Sequence, residues 1–215
     1  MSGALDFLSS SLASDEGGFR PIARSAVEKL YETADATFEE RDGWRVAASV
    51  PGEADVLPAV GIADVSHLGK LEVRPAPTPA PSAPATSGLQ QSVASVYRLS
   101  PRRALLIFAE GARADVEGDL RDATLVLDVT AAYSVLAVSG PEARKLIGRL
   151  THLHRFPSGG EVAHVTAHVL PAGKGFRVVV AQELGHYLAE VALDCARALG
   201  GGLVGVDALP VEEQP

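Results

Sequence analysis

The stretch from Pro75 to Gly88, PAPTPAPSAPATSG, sets the strongest limit on how this chain folds. It holds prolines at 75, 77, 79, 81 and 84. Each proline fixes φ and removes an amide donor, so neither a helix nor a central strand can run through it. The composition predicts an extended, semi-rigid spacer, rising ~3.1 Å per residue where it takes polyproline geometry. We place this spacer at 75–92. Regular structure must then be built from residues 21–74 and 93–209, two parts of one domain. Residues 1–20 read as a mobile arm, because Gly17-Gly18 ends any helix begun by Leu5, Leu8 and Leu12. Residues 210–215 read as a tail. The PxxP spacing fits an SH3-type ligand only loosely, and basic flanking residues are scarce.

Hydrophobic residues make up 47% of the chain and charged residues 21%, which excludes a wholly disordered protein. No apolar run approaches the ~18 residues that a membrane helix needs. The first residues lack a basic head and carry Asp6, Asp15 and Glu16, so no secretory signal is expected. A single cysteine, Cys195, cannot form an internal disulfide, which fits a reducing, cytoplasmic location. The net charge is −8. A nucleic-acid partner calls for a basic stripe, and the nearest candidate is only Arg98, Arg102 and Arg103 around one turn. Aromatic residues, at 5%, leave little for base stacking.

Ser25-Ala26-Val27-Glu28 has the pattern of a capping box, in which Ser25 accepts the third helical N–H and Glu28 reaches back. Val27, Leu30, Tyr31 and Ala34 follow at helical spacing, which predicts a helix over 25–34. Strands are expected at 37–39 and 44–50, joined by an Asp42-Gly43 hairpin turn, and then at 60–65 and 70–73. Beyond the spacer they are expected in pairs, 93–98 with 104–108 around Ser100-Pro101 and 124–129 with 133–138. Gly140-Pro141-Glu142 starts a helix over 141–151, striped by Ala143, Leu146, Ile147 and Leu150. Strands at 161–170 and 175–181 precede a helix carrying Leu184, Leu188, Val191, Cys195 and Leu199, closed by Gly200-Gly201-Gly202. A short strand at 203–206 ends the series. The order predicts an α+β fold of mostly antiparallel sheets with flanking helices, in two related halves, not a βαβ repeat. No G-x-G-x-x-G follows a strand and no G-x-x-x-x-G-K-[ST] occurs, so no motif supports nucleotide binding.

Asp64, Ser66 and His67 invite a triad reading, but neighbours on a strand point to opposite faces and no G-x-S-x-G elbow is present. Turn-forming and backbone-bonding roles suit Asp64 and Ser66 better. His152, His154, His164 and His168 raise the question of a metal. On one strand His164 and His168 would share a face yet lie ~13 Å apart, too far to ligate one ion. Cys195, on an apolar stripe, reads as a buried and inert thiol. Glu39, Glu40 and Asp42 read as a solvated acidic hairpin tip. No catalytic, cofactor-binding or metal-binding residue is therefore assigned from the residues themselves.

Several segments nonetheless resemble a known family. Gly61-Ile62-Ala63-Asp64-Val65-Ser66-His67-Leu68-Gly69-Lys70-Leu71-Glu72-Val73 is similar to the "DvSH" strand pair of the folate-binding aminomethyltransferases, typified by the glycine-cleavage T-protein. The Arg24-Ser25 helix with Ala36-Thr37-Phe38 and Gly43-Trp44 resembles that family's start, and Gly140-Pro141-Glu142-Ala143 its "GP.A" helix. Together these pieces cover most of residues 22–209. The departures point further. Where that family carries a helix, a strand and a folate-associated acid, residues 75–109 hold no acid at all. Pro171-Ala172-Gly173-Lys174-Gly175-Phe176-Arg177 stands where a "GytGE-GfE" signature is expected, and the family's C-terminal barrel has no counterpart. Val96-Tyr97-Arg98-Leu99-Ser100-Pro101 and Leu153-His154-Arg155-Phe156-Pro157-Ser158-Gly159-Gly160 resemble instead the gamma subunit of heterotetrameric sarcosine oxidase, a degenerate member of the same family. That resemblance implies a structural subunit without a cofactor of its own. It implies partners in the other subunits of a complex, chiefly the large flavin-bearing ones, that demethylates sarcosine oxidatively and passes the one-carbon unit to tetrahydrofolate. The flavins, NAD and tetrahydrofolate are implied on those partners.

Overall fold

A computed structural model describes residues 21–75, 94–120 and 124–210. The expected N-terminal arm, nearly all of the proline spacer and the tail lie outside these residues. Two compact units share the chain. One uses residues up to His67 and from Ala131 onward, and the other uses Leu68–Thr130.

In chain order the elements are β1 (Ala23–Arg24), α1 (Glu28–Thr33), β2 (Thr37–Arg41), β3 (Trp44–Ser49), α2 (Glu53–Val56) and β4 (Gly61–Asp64). Then come β5 (Gly69–Pro75), β6 (Ser95–Ser100), β7 (Arg103–Phe108), α3 (Arg113–Asp119) and β8 (Thr124–Asp128). The last series is β9 (Tyr133–Ser139), α4 (Ala143–Leu150), β10 (Ser158–Val162), β11 (Val165–Ala172), β12 (Gly175–Ala181), α5 (Gly185–Arg197) and β13 (Gly202–Leu203).

The first unit holds a six-stranded sheet in the order β10-β11-β12-β9-β4-β13 and a three-stranded sheet in the order β1-β3-β2. Pairing is antiparallel except for β13 with β4 and β1 with β3. Alternate residues of the large sheet, Val138 and Leu136, Val178 and Val180, Ala167 and Val169, enter one core with Leu146, Ile147 and Leu150 of α4 and Leu188, Ala192 and Ala196 of α5. The other alternates, among them Val135, Ala137, Val179 and Leu170, are also buried. Burial on both faces explains why these strands read as unbroken apolar runs. The second unit is an antiparallel sheet in the order β6-β7-β5-β8. Leu71, Val73, Leu106 and Phe108 on one face pack with Val116 of α3 and with Leu120. The fold is thus α+β with antiparallel-dominated sheets, as the sequence predicts.

Four local expectations are corrected. Ser25 does not form the reciprocal box: its Oγ accepts from the Val27 amide at 3.1 Å. Glu28 is drawn instead into ion pairs with Arg45 and Arg24, since a guanidinium binds a buried carboxylate more strongly than a backbone amide does. The strand expected over 161–170 is two strands. Ala163 and His164, with φ of 50° and 65°, turn β10 back onto β11. β4 and β5 do not pair with each other, because β4 bonds to β9 and β13 and β5 to β7 and β8. For the same reason β8 and β9 are not a pair. The Asp42-Gly43 hairpin forms as expected, with φ of 53° and 74°.

Candidate functional site

The DVSH segment lies where β4 ends, and its polar groups are tied to backbone. Tyr31, 1% exposed on α1, donates its hydroxyl hydrogen to Ile62 O at 2.9 Å, with Val204 O at 3.3 Å, and accepts from the Asp64 amide at 2.9 Å. One phenol thus holds two backbone groups of β4, at Ile62 and Asp64. Burial, with the Asp64 carboxylate close by, pushes the Tyr31 hydroxyl well above the usual tyrosine range. It is a hydrogen donor here, not a nucleophile. Ser66 Oγ donates to Asp64 Oδ1 at 2.5 Å and accepts from the Val135 amide at 2.9 Å, while the Ser66 amide also bonds Asp64 Oδ1 at 3.0 Å. Both roles expected for Asp64 and Ser66, turn-forming and backbone-bonding, are present. His67 is buried.

A second carboxylate behaves the same way. Glu53 Oε2 accepts from the Val50 amide at 2.9 Å and the Gly205 amide at 2.8 Å, pinning the C-terminal turn to the end of β3. In the second unit the charges are buried and paired. Glu72, 2% exposed, meets Arg74 and, at 2.5 Å, Arg103. Burial pushes its pKa up, but the two guanidinium groups outweigh burial and hold the carboxyl below the ordinary glutamate range. Lys70, fully buried, donates from Nζ to Leu68 O at 2.9 Å. Arg113 reaches Asp128 at 3.1 Å and Glu117 at 3.2 Å.

The histidines are dispersed. His152 and His154 are exposed, His164 sits in the β10–β11 turn beside Glu161 at 3.3 Å, and His168 is half-buried on β11. The common strand assumed for His164 and His168 does not exist, because the turn intervenes. No group of three His, Cys, Asp or Glu side chains able to hold a metal occurs among the described residues. Cys195 is half-buried rather than buried, because it stands at the rim of the α5 stripe. Of the acidic hairpin tip, Glu39 binds Arg41 at 2.7 Å, and Arg41 binds Asp207 at 2.7 Å. The tip is therefore tied down rather than only solvated. Sequence reading missed Tyr31 as a polar anchor and Glu53 altogether. A tyrosine, rather than leucine or phenylalanine, on an otherwise apolar stripe was the available signal.

The arrangement can stabilise strand ends and turns. Asp64, Ser66, Tyr31 and Glu53 all spend hydrogen bonds on the chain's own backbone. No helix among the described residues is long and apolar enough to cross a membrane. No family model and no curated protein matches the sequence. Among solved structures, a chain of heterotetrameric sarcosine oxidase from Corynebacterium sp. U-96, in complex with pyrrole 2-carboxylate, matches at a TM-score of 0.59 and 20% identity, over 84% of this chain and 97% of that one. The glycine cleavage system aminomethyltransferase T from Bartonella henselae matches at a TM-score of 0.63 and 18% identity, over 87% of this chain and 60% of that one. This chain therefore spans about 60% of the aminomethyltransferase's length. At such identities the likenesses establish the fold: an α+β arrangement of the kind seen in aminomethyltransferases and in a chain of sarcosine oxidase.

Proposed function

We propose that this chain is a non-catalytic, structural subunit of a heterotetrameric, sarcosine oxidase-type complex, equivalent to its gamma subunit. The observation that carries the reading is coverage. The alignment takes in 97% of a sarcosine oxidase chain but 60% of the aminomethyltransferase. The match thus takes in nearly all of that sarcosine oxidase chain and only a part of the aminomethyltransferase. The commitment of Asp64, Ser66 and Glu53 to backbone supports it, since a general acid or base needs a group free to meet substrate. In this reading the flavins, NAD and tetrahydrofolate lie on the partner subunits, which oxidise sarcosine.

The chain co-expressed with the other subunits is expected to assemble, and alanine at His67, His164 or His168 to leave turnover within about threefold. Loss of a general acid or base costs ~100-fold or more, and a loss of that size in a fully assembled variant overturns the structural role. The somewhat higher TM-score of the aminomethyltransferase favours one rival, a stand-alone folate-binding protein. Calorimetric titration of the isolated chain with tetrahydrofolate separates the two. Micromolar binding supports the rival, and no heat supports the subunit.

A further inference from the structure

Between Glu142 and Glu161 the sequence contains no acidic residue, in a chain whose net charge is −8. That interval carries Arg144, Lys145, Arg149, His152, His154 and Arg155, and all six are exposed. The run was missed as a basic stripe because apolar core positions of α4 interrupt it. On the helix, Arg144, Lys145 and Arg149 fall on the arc opposite Ala143, Leu146, Ile147 and Leu150, which are buried. Arg144 extends over the rings of Phe156 and Phe176, at 5.9 and 5.8 Å, which brings the helix face alongside Arg155.

The fold's own needs account for part of this charge only. A cation in the last helical turn favours the dipole, which suits Arg149, but Arg144 and Lys145 occupy the first turn, where cations are disfavoured. Lys145 is offset by Glu142 at 2.9 Å. Arg149 donates to Cys195 O of α5 at 3.4 Å, and neither it nor Arg155 pairs with a carboxylate among the described residues. Gly148 sits in the middle of the cationic arc, although glycine is a poor helix former. A Cβ built there meets nothing within 4 Å, so no packing requirement in the chain explains it. It leaves bare backbone between the arginines.

We propose that this face of α4, with residues 151–155, docks an acidic segment of a partner protein, whose backbone approaches at Gly148 while its carboxylates meet Arg149, Arg155 and Lys145. A short segment suits the dimensions, since an eight-residue helix is only ~12 Å long. A long, uniformly charged polyanion or an anionic bilayer would have to approach a molecule of net charge −8 outside the patch. A discrete acidic segment meets only the patch. The site gives the subunit reading above a face, but it is tested without any flavoenzyme, so its failure leaves that reading standing.

The test uses the full chain and a fluorescein-labelled decapeptide of alternating glutamate and glycine, followed by anisotropy. The expected result is saturable binding that weakens steeply as salt rises from about 0.05 to about 0.3 M. K145E/R149E/R155E is expected to lower affinity about tenfold or more. G148L, which changes no charge, is expected to lower it about threefold by blocking the approach. Circular dichroism confirms that each variant folds, and should the triple variant not fold, R155Q and G148L carry the test. Unchanged affinity in G148L overturns the backbone approach, and unchanged affinity in the charge variants overturns the site. Tighter binding of a single-stranded oligonucleotide or of phosphatidylserine vesicles, sensitive to the same substitutions, overturns the protein partner.

Discussion

Tyr31 concentrates more of the first unit's polar bonding than any apolar position on its helix. Its hydroxyl bonds Ile62 O and the Asp64 amide, both buried. Tyr31→Phe keeps the ring and its packing but removes the acceptor of the buried Asp64 amide, while Ile62 O keeps its bond from the Val204 amide at 3.0 Å. The expected cost is about 1–3 kcal/mol, the price of unsatisfied buried polar atoms, read as a lower urea midpoint at unchanged slope. Steric limits act as sharply at Gly205, where a Cβ would lie 2.0 Å from Ala48 O. Gly205→Ala must therefore displace the turn that Glu53 pins, and a loss of about 2 kcal/mol or more is expected in the same measurement. A midpoint within a few tenths of a molar of wild type in either variant refutes the corresponding argument. The sequence made the DVSH residues legible as turn-formers, because Asp and Ser two residues apart carry that chemistry locally. It did not make Tyr31 and Glu53 legible as anchors, because their partners, Val204 and Gly205, are distant in sequence.

Among the elements, the turn between β10 and β11 is the most informative. Ala163 and His164 both take positive φ, a pair of conformations that Asn-Gly adopts far more readily. Ala163 is a buried core residue, but His164 is exposed, so His164→Gly alone is expected to stabilise the protein by about 0.5–1 kcal/mol, seen as a higher thermal midpoint. An unchanged or lower midpoint argues against the strain. The same chemistry explains why two strands read as one: without Gly, Asn or Asp, nothing punctuates the run between Val162 and Val165. The Asp42-Gly43 hairpin, which carries that signal, was legible at once. α3 escaped notice for a different reason. Its buried apolar stripe is only Val116 with Leu120 beyond it, Gly111 precedes them and Gly118 falls between them, too sparse for a helical period. Strand existence was largely legible and strand pairing was not, since β4, β5, β8 and β9 each find partners far along the chain.

For the molecule as a whole, pH sets the range over which the paired charges contribute. In the second unit Glu72 is held below the ordinary glutamate range: burial opposes its charge, and Arg103 and Arg74 more than compensate. In the first unit the hydrogen bond from Arg41 holds Asp207 below the ordinary aspartate range. For a carboxyl whose folded pKa lies below its unfolded one, the unfolded chain binds more protons on the acid side. The stability these groups supply is therefore complete above the ordinary carboxylate pKa values, and it is lost as pH falls through that range and below. Tyr31 acts at the opposite end. Its folded pKa is raised, so the stability it supplies is complete below the ordinary tyrosine value and declines as pH rises past it. Urea midpoints taken from about pH 3 to about pH 11 should form a plateau that falls on both sides. The one tryptophan, Trp44, is 5% exposed and lies in the first unit, so its fluorescence follows that unit, while far-ultraviolet dichroism follows both. Glu72→Gln removes the titrating group and leaves Arg103 and Arg74 without their anion. At neutral pH the dichroism midpoint of E72Q should fall, its acid-side slope should flatten, and the Trp44 signal should keep its own. Asp207→Asn should flatten the Trp44 acid limb more weakly, because Asp207 is half exposed and water screens its pair. An acid limb of unchanged steepness in E72Q shows that the Arg103–Glu72–Arg74 cluster does not govern the second unit's acid sensitivity.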